Sequence, residues 1–457
     1  MISDTLAGFV CDLSFENIPA EVVQKTKQTI LDVIGNSLGA VSSEEGEQIY
    51  RIAETETSPA EAFVFGGGKS SLEKAVMVNA VMSRIADLDD GHKFSTGHPS
   101  TVVVPTALTC GQVLGSSGRE IIRAIIAGYE VYVRIARGIN VSAHKEKGYD
   151  MTGVCGSVAA AMVAGVLMGF DREKLVDAMG IAGSFTGGLY ECLFDGSSPK
   201  ILVPGWAART GVTAAKMAAA GFTGPASIVE GKKGIAQGVT NHYDLTHVLD
   251  ELGARFEICG TYFKKYACMR GLHGAVDAVL ELQQEHGFAA EDVKKVTILT
   301  SKFVKQYDKP FPGTVVATQS NLPYNLAVGM LYSKIGMDEV QRGLSDPQIR
   351  DLASRVEVVL DPEMEAYVSA HFDNLTAAKA VVRTKEGCYK KTVYLACGEP
   401  EKPLSTREME DKYYFLAEKA VSRSQADRIR TMVLDLEDQE DGLPALVALK
   451  YKKTQQH

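Results

Sequence analysis

The chain has 457 residues, 45% hydrophobic and 23% charged, and 48 basic against 57 acidic side chains leave a formal net charge of −9. This is the composition of a globular protein, and the length exceeds the roughly 250–300 residues at which single cores stop growing, so two or more domains are expected. No basic excess is present to neutralise phosphates, which sets general nucleic-acid binding aside.

The amino terminus, MISDTLAGFVCDLSFENIP, places acids early and has no basic stretch leading into an apolar run, so it does not read as a secretory signal. Ser3-Asp4 mark the start of a first helix. From Val22 to Leu38, the residues Val22, Val23, Thr26, Ile30, Leu31 and Ile34 recur near the helical period of about 3.6. Phe65-Gly66-Gly67-Gly68-Lys69 lacks dinucleotide-binding spacing and reads as a flexible turn. Further helical runs are expected at Leu72 to Leu88, at Thr106 to Val113 just after Pro105, and at Ile121 to Ile139.

Met151 to Phe170 is twenty residues without a charge, the nominal length of a bilayer span. Eleven of those twenty are Gly, Ala, Ser, Thr or Cys, and acids rather than basic anchors flank the stretch, so it reads as a helix buried on all sides. Asp171 then caps REKLVDAMG, and another helix covers Thr213 to Ala220. Gly-rich breaks at 115–118, 187–196 and 221–224 punctuate these elements.

Beyond about Thr261 the pattern turns to β-branched alternation, with strands expected at Val293 to Thr300, Val356 to Leu360, Lys379 to Thr384 and Lys391 to Leu395. Lys385-Glu386-Gly387 would turn the last pair, and helices at Gly274 to Gln284, Pro323 to Tyr332 and Asp346 to Ala353 would cover the sheet. Glu408 to Leu434 is amphipathic and helical, and the polar tail Lys452 to His457 reads as frayed. The fold class is therefore a large all-α domain, residues 1–261 with about 403–457, plus a smaller α+β lid domain over 262–402. Eight cysteines, none in a C-x-x-C pair, read as reduced thiols of a cytoplasmic protein.

The densest cluster of reactive groups is ADLDDGHKFSTGHPS, with three carboxylates and two imidazoles within twelve residues, Asp87 to His98. On a helix Asp87 and Asp90 share a face, and His92 and His98 titrate near the working pH. A solvated acidic loop is the competing reading. Spacing matches no metal motif, so no metal is expected. In a second cluster Lys264, Arg270 and His273 crowd one short segment at the domain junction, a natural carboxylate receptor. Its rival is a surface basic patch with a histidine cap. A third, KILVPGWAAR, sets Lys200 ahead of a Pro-Gly turn and holds the lone Trp206, which reads as core.

In order and spacing, ADLDDGHKFSTGHPSTVVVPTAL, GYDMTGVCGSVAAA, KILVPGWAARTGVTAA and FKKYACMRGLHGAVDA resemble the MmgE/PrpD family of dehydratases, decarboxylases and epimerases over nearly the whole chain. The resemblance implies a helical domain with an α+β lid, a homodimer, and chemistry in the crevice without metal or organic cofactor. It implies Asp87, His98, Lys200 and His273 as the catalytic group. Lys264, Arg270, Tyr324, Asp90, His92 and Asp150 would surround the substrate. Asp150 and Val203 stand where family members often carry histidine, which changes the pocket charge and argues against a tricarboxylate.

The expected activity is that of a cofactor-independent lyase or isomerase on a small di- or tricarboxylate, or an amino or hydroxy dicarboxylate, by proton transfer at a carbon next to a carboxylate, dehydratase-type first. Epimerisation, decarboxylation or non-catalytic carboxylate binding are the alternatives.

Overall fold

The computed structural model describes residues 1–54, 59–371 and 374–440, so the tail Lys452 to His457 lies outside the described residues. Its centre is the helix Met151–Leu167, buried from Met151 to Val166. Around it pack the helices Pro199–Ala219, Gly118–Asn140, Ser100–Leu114 and Arg172–Ser184. Small residues make the approach possible: a Cβ on Gly211 would come within 2.4 Å of Ala160 Cβ. Among the described residues no helix is long and apolar enough to cross a membrane. The uncharged stretch is thus the axis of the first core.

The helix Ala20–Gly39 buries the six periodic residues read from the sequence, and Asp171 caps Arg172–Ser184 by accepting from Lys174 N at 3.0 Å. Other boundaries differ. Ser3 and Asp4 lie inside the helix Ile2–Asp12, where Asp4 pairs with Arg172 at 2.6 Å rather than capping. Pro105 falls within Ser100–Leu114, because the helix already begins after Pro99. Pro204 and Gly205 do not form a turn; they continue the helix Pro199–Ala219, which puts Lys200 in its first turn. Trp206 is no core residue, being 64% exposed on that helix. The Gly-rich run after Phe65 connects the short paired strands Ala62–Phe63 and Lys69–Ser70.

A second core gathers residues from Tyr266 to Val393 around a four-stranded sheet. Its order is Val356–Leu360, Val293–Thr300, Ala378–Thr384 and Cys388–Val393, the first pair parallel and the others antiparallel. Ile298 is the register point, opposite Val358 on one side and Ala380 on the other. The last strand starts earlier than the β-branched pattern suggests, since Thr384 N donates to Gly387 O at 2.8 Å and closes the turn at once. The helix His273–His286 covers the sheet.

The amphipathic region near the carboxyl end is two helices, Thr406–Ala417 and Arg423–Leu434, separated where Ser422 and Gln425 form a capping box. Both contribute to the first core, with Tyr413, Ile429 and Val433 buried there.

Candidate active site

The helix Leu72–Arg84 stops short of the expected Leu88, and the departing chain bears the reactive cluster. Asp87 and Thr96 both adopt φ 51°, a left-handed conformation that costs an L-residue about 1–2 kcal/mol. Two restraints hold the loop. The strand Gly91–His92 pairs with Thr261–Tyr262, and Lys412 Nζ donates to Leu88 O at 2.6 Å while pairing with Asp32 at 2.6 Å. The strained loop is thus held by backbone pairing as well as by its side chains.

Arg84 is the hub of those side chains and is 4% exposed. Its Nη1 donates to Asp87 Oδ1 and to Asp89 Oδ1, the latter at 2.7 Å, and its Nη2 lies 3.2 Å from His98 Nε2. His98 Nδ1 faces two acceptors, Asp90 O at 2.7 Å and Asp89 Oδ2 at 2.8 Å. The ring proton therefore belongs on Nδ1, leaving a lone pair on Nε2 beside a guanidinium. Burial, then Arg84, lowers the His98 pKa, so this imidazole is neutral.

Across from it stand two lysines. Lys264 Nζ reaches Asp87 Oδ1 at 2.8 Å and Asp87 O at 3.0 Å. Lys200 Nζ donates to Gln319 Oε1 at 2.6 Å and lies 3.2 Å from Asp87 Oδ2. Burial works to raise the Asp87 pKa, but Lys200, Lys264 and Arg84 together outweigh it and hold the carboxyl well below the usual range. Burial brings Lys200 down to about 8. Together with Tyr190, His144 and Lys145, and the apolar Met269, Phe303, Tyr307 and Leu375, these groups enclose a cavity of about 90 Å³.

Of the residues singled out from the sequence, Asp87, His92, His98, Lys200, Lys264 and Arg270 line this cavity. His92 is held by Nε2–H donating to Glu257 O at 2.9 Å, and burial brings its pKa to about 3. Asp90, Asp150, His273 and Tyr324 are absent from the wall. Asp90 accepts from Ser100 and from Tyr129 OH at 2.7 Å, and burial raises its carboxyl to about 7. Asp150 caps Met151–Leu167 by accepting from Thr152 N at 2.7 Å. His273 lies behind Lys264 with Nε2 3.2 Å from Cys268 O, and burial, then Lys264, brings it to about 3. Tyr324 is fully buried in the second core, its hydroxyl donating to Val340 O.

Sequence reasoning passed over Arg84 and Gln319, and counted Asp89 in the cluster without giving it a role. A trace of Arg84 is present, as the single charge late in the buried run AVMVNAVMSR, a residue type rarely buried without partners. Gln319 has no local signal; it matters because Oε1 takes Lys200 and Nε2 donates to Ile85 O at 3.1 Å. Among the described residues no group of three or more His, Cys, Asp or Glu is disposed to hold a metal ion.

Residues 4–247 match the family model for the MmgE/PrpD N-terminal domain, and residues 266–438 match that for the MmgE/PrpD C-terminal domain. The chain belongs to the MmgE/PrpD family. It is 24% identical to the cis-aconitate decarboxylase-like protein oryM of Aspergillus oryzae, covering 96% of this chain and 95% of that protein. It is also 24% identical to the cis-aconitate decarboxylase of Aspergillus terreus, over 98% and 96% of the two chains. The human cis-aconitate decarboxylase is 24% identical over 96% of this chain and 92% of its own length. Within this MmgE/PrpD chain the two family segments meet at the cavity, where Lys264, just ahead of the second, joins Asp87 of the first.

Proposed function

We propose that this MmgE/PrpD protein is a cofactor-independent lyase or isomerase that moves a proton at a carbon next to a carboxylate of a small acid. The observation that carries this reading is the neutral His98 Nε2 in one buried cavity with Arg84, Lys200 and Lys264. The three cations would hold the carboxylate and the enolate-like charge that develops on it, an effect of about 3–4 kcal/mol per well-placed donor. His98 would take the proton from the adjacent carbon, with Asp89 and Asp90 O fixing its tautomer. In dehydration, the bond to a neighbouring hydroxyl breaks as Lys200 delivers a proton, giving water and a carbon–carbon double bond. Lys200 suits the role because its pKa of about 8 allows it to give and regain a proton.

Decarboxylation is the second reading, supported by the names of the relatives. There carbon dioxide leaves with the electron pair remaining on carbon, and the Lys200 ammonium supplies the proton. Incubation in deuterated water with a panel of hydroxy, unsaturated and amino di- and tricarboxylates, followed by NMR, distinguishes them. Carbon-bound deuterium with loss of water, loss of carbon dioxide or inversion is expected in one acid. No exchange in any would overturn the reading, and so would loss of activity in chelator restored by metal.

A homodimer is part of the same proposal. Phe185, Leu202 and Trp206, exposed by 69%, 42% and 64%, line an apolar groove of about 550 Å³ that a second copy would cover. Light scattering at the mass of one chain would remove this part.

A further inference from the structure

The lysines and arginines that line the cavity differ in how the protein answers their charge. Arg84 meets Asp87 and Asp89, Lys200 and Lys264 share Asp87, and Arg270 has Glu399 among its partners. Lys145 lines the same cavity, is exposed, and its ammonium makes no hydrogen bond or ion pair with any described residue. The adjacent acid does not serve it. Glu146 Oε2 accepts from Ser142 Oγ at 2.8 Å and from Asn241 Nδ2 at 3.0 Å, with His242 Nδ1 3.6 Å away, so that carboxylate is drawn to the 241–242 segment.

The backbone that carries Lys145 is built rather than loose. It is a π-helical turn, Val141–Glu146, continuing the helix Gly118–Asn140. Lys147 N donates to Ser142 O at 3.1 Å and Tyr149 N to Ala143 O at 2.9 Å, which closes the wide turn. Gly148, with φ 74°, then redirects the chain, and Tyr190 N donates to Gly148 O at 2.8 Å, tying the turn to another residue of the cavity wall. His144 packs into that wall, its ring edge-on to Tyr190 at 4.8 Å and its Nδ1 3.3 Å from Tyr149 O. A fixed turn thus presents an unanswered cation at the exposed side of the cavity.

We propose that Lys145 receives a second carboxylate of the substrate and makes the site one for diacids, with one carboxylate against Lys200 and Lys264 and the other against Lys145. A cation without an internal partner gains most from a bound anion, because no existing ion pair has to be broken first, and an exposed one loses little hydration on pairing. The inference rests on the acid-binding reading above and names the substrate class for it. Lys145 touches a group remote from the reacting carbon, so its role is in binding.

The test is calorimetric binding of three saturated, unreactive acids, butyrate, succinate and glutarate, to the full chain at about 0.15 M salt, where exposed charges more than about 8 Å apart are largely screened. In the unaltered protein at least one diacid should bind more tightly than butyrate. Lys145→Gln should weaken that diacid by about threefold to fivefold and Lys145→Glu by about tenfold or more, while butyrate stays within about twofold in both. Lys145→Arg should keep the preference. Lys147→Gln, exposed just beyond the turn and outside the cavity wall, should leave all three acids within about twofold. The proposal is overturned if the Gln and Glu variants shift the three acids equally, if they leave the diacid preference in place, or if Lys147→Gln shifts it as much. If none of the acids binds the unaltered protein, the acid-binding reading itself fails. If butyrate binds and neither diacid binds more tightly, that reading stands and the role of Lys145 falls.

Discussion

On the wall formed by residues 84–98, the polar partners are near neighbours: Arg84 meets Asp87, Asp89 and His98 within 14 positions. Across the cavity, Lys264 reaches Asp87 over 177 positions, and Arg270 reaches Glu399 over 129. The first wall is a local device whose strained backbone and caged imidazole are built by one loop. The second supplies charge, and how much it supplies depends on partners brought in from elsewhere. On the proposed reading, reactivity and recognition lie in different parts of the chain, and separate substitutions should affect them separately.

The sharpest separation comes from the loop. His98→Ala removes the only neutral imidazole positioned by Asp89 and Asp90 O, and kcat should fall by about 10²–10⁴ with KM little changed. A comparable rise in KM instead would place His98 in binding and break the division. Next in size is Lys264→Met, which removes the charge linking the two walls. Loss of about 10²–10³ in kcat/KM is expected, with a lower melting temperature because Asp87 is left with fewer partners.

The pH profile of kcat/KM tests both walls at once. Protonation of His98 removes the base, and since burial and Arg84 lower its pKa, the acid limb should lie below 6.5, the ordinary value. Lys200 is needed charged, so activity should decline as pH rises through about 8. Lys200→Arg should push that alkaline limb upward, because guanidinium stays protonated; a limb that stays near its original position would assign it to another group.

The smallest effect is expected one position from the second. Lys265 is 42% exposed with Glu408 at 3.9 Å, and Lys265→Ala should leave kcat/KM within about twofold and stability within about 1 kcal/mol. A large loss there would show that the basic segment acts as a patch rather than through Lys264 alone.

Much of this was legible in the residues. Periodicity located the helix Ala20–Gly39 and the strand Val293–Thr300, because burial of one face repeats along the chain. The concentration of titratable groups from Asp87 to His98 marked a loop that lines the cavity, and the second basic segment marked the facing wall. Less legible were roles within those segments. His273 and Tyr324 are of the right type, but their polar atoms are taken by Cys268 O and Val340 O, and neither side chain lines the cavity.

Sequence alone determined the two-core architecture and the segments that line the cavity, since patterns of burial and charge are properties of neighbouring residues. Only the tertiary structure decided that Arg84 organises the loop, that Gln319 holds Lys200, and that Glu399 takes Arg270. Those outcomes depend on which groups meet after folding has removed water from between them. A charge's partner, and hence its availability to a ligand, is set by distances that the order of residues along the chain does not contain.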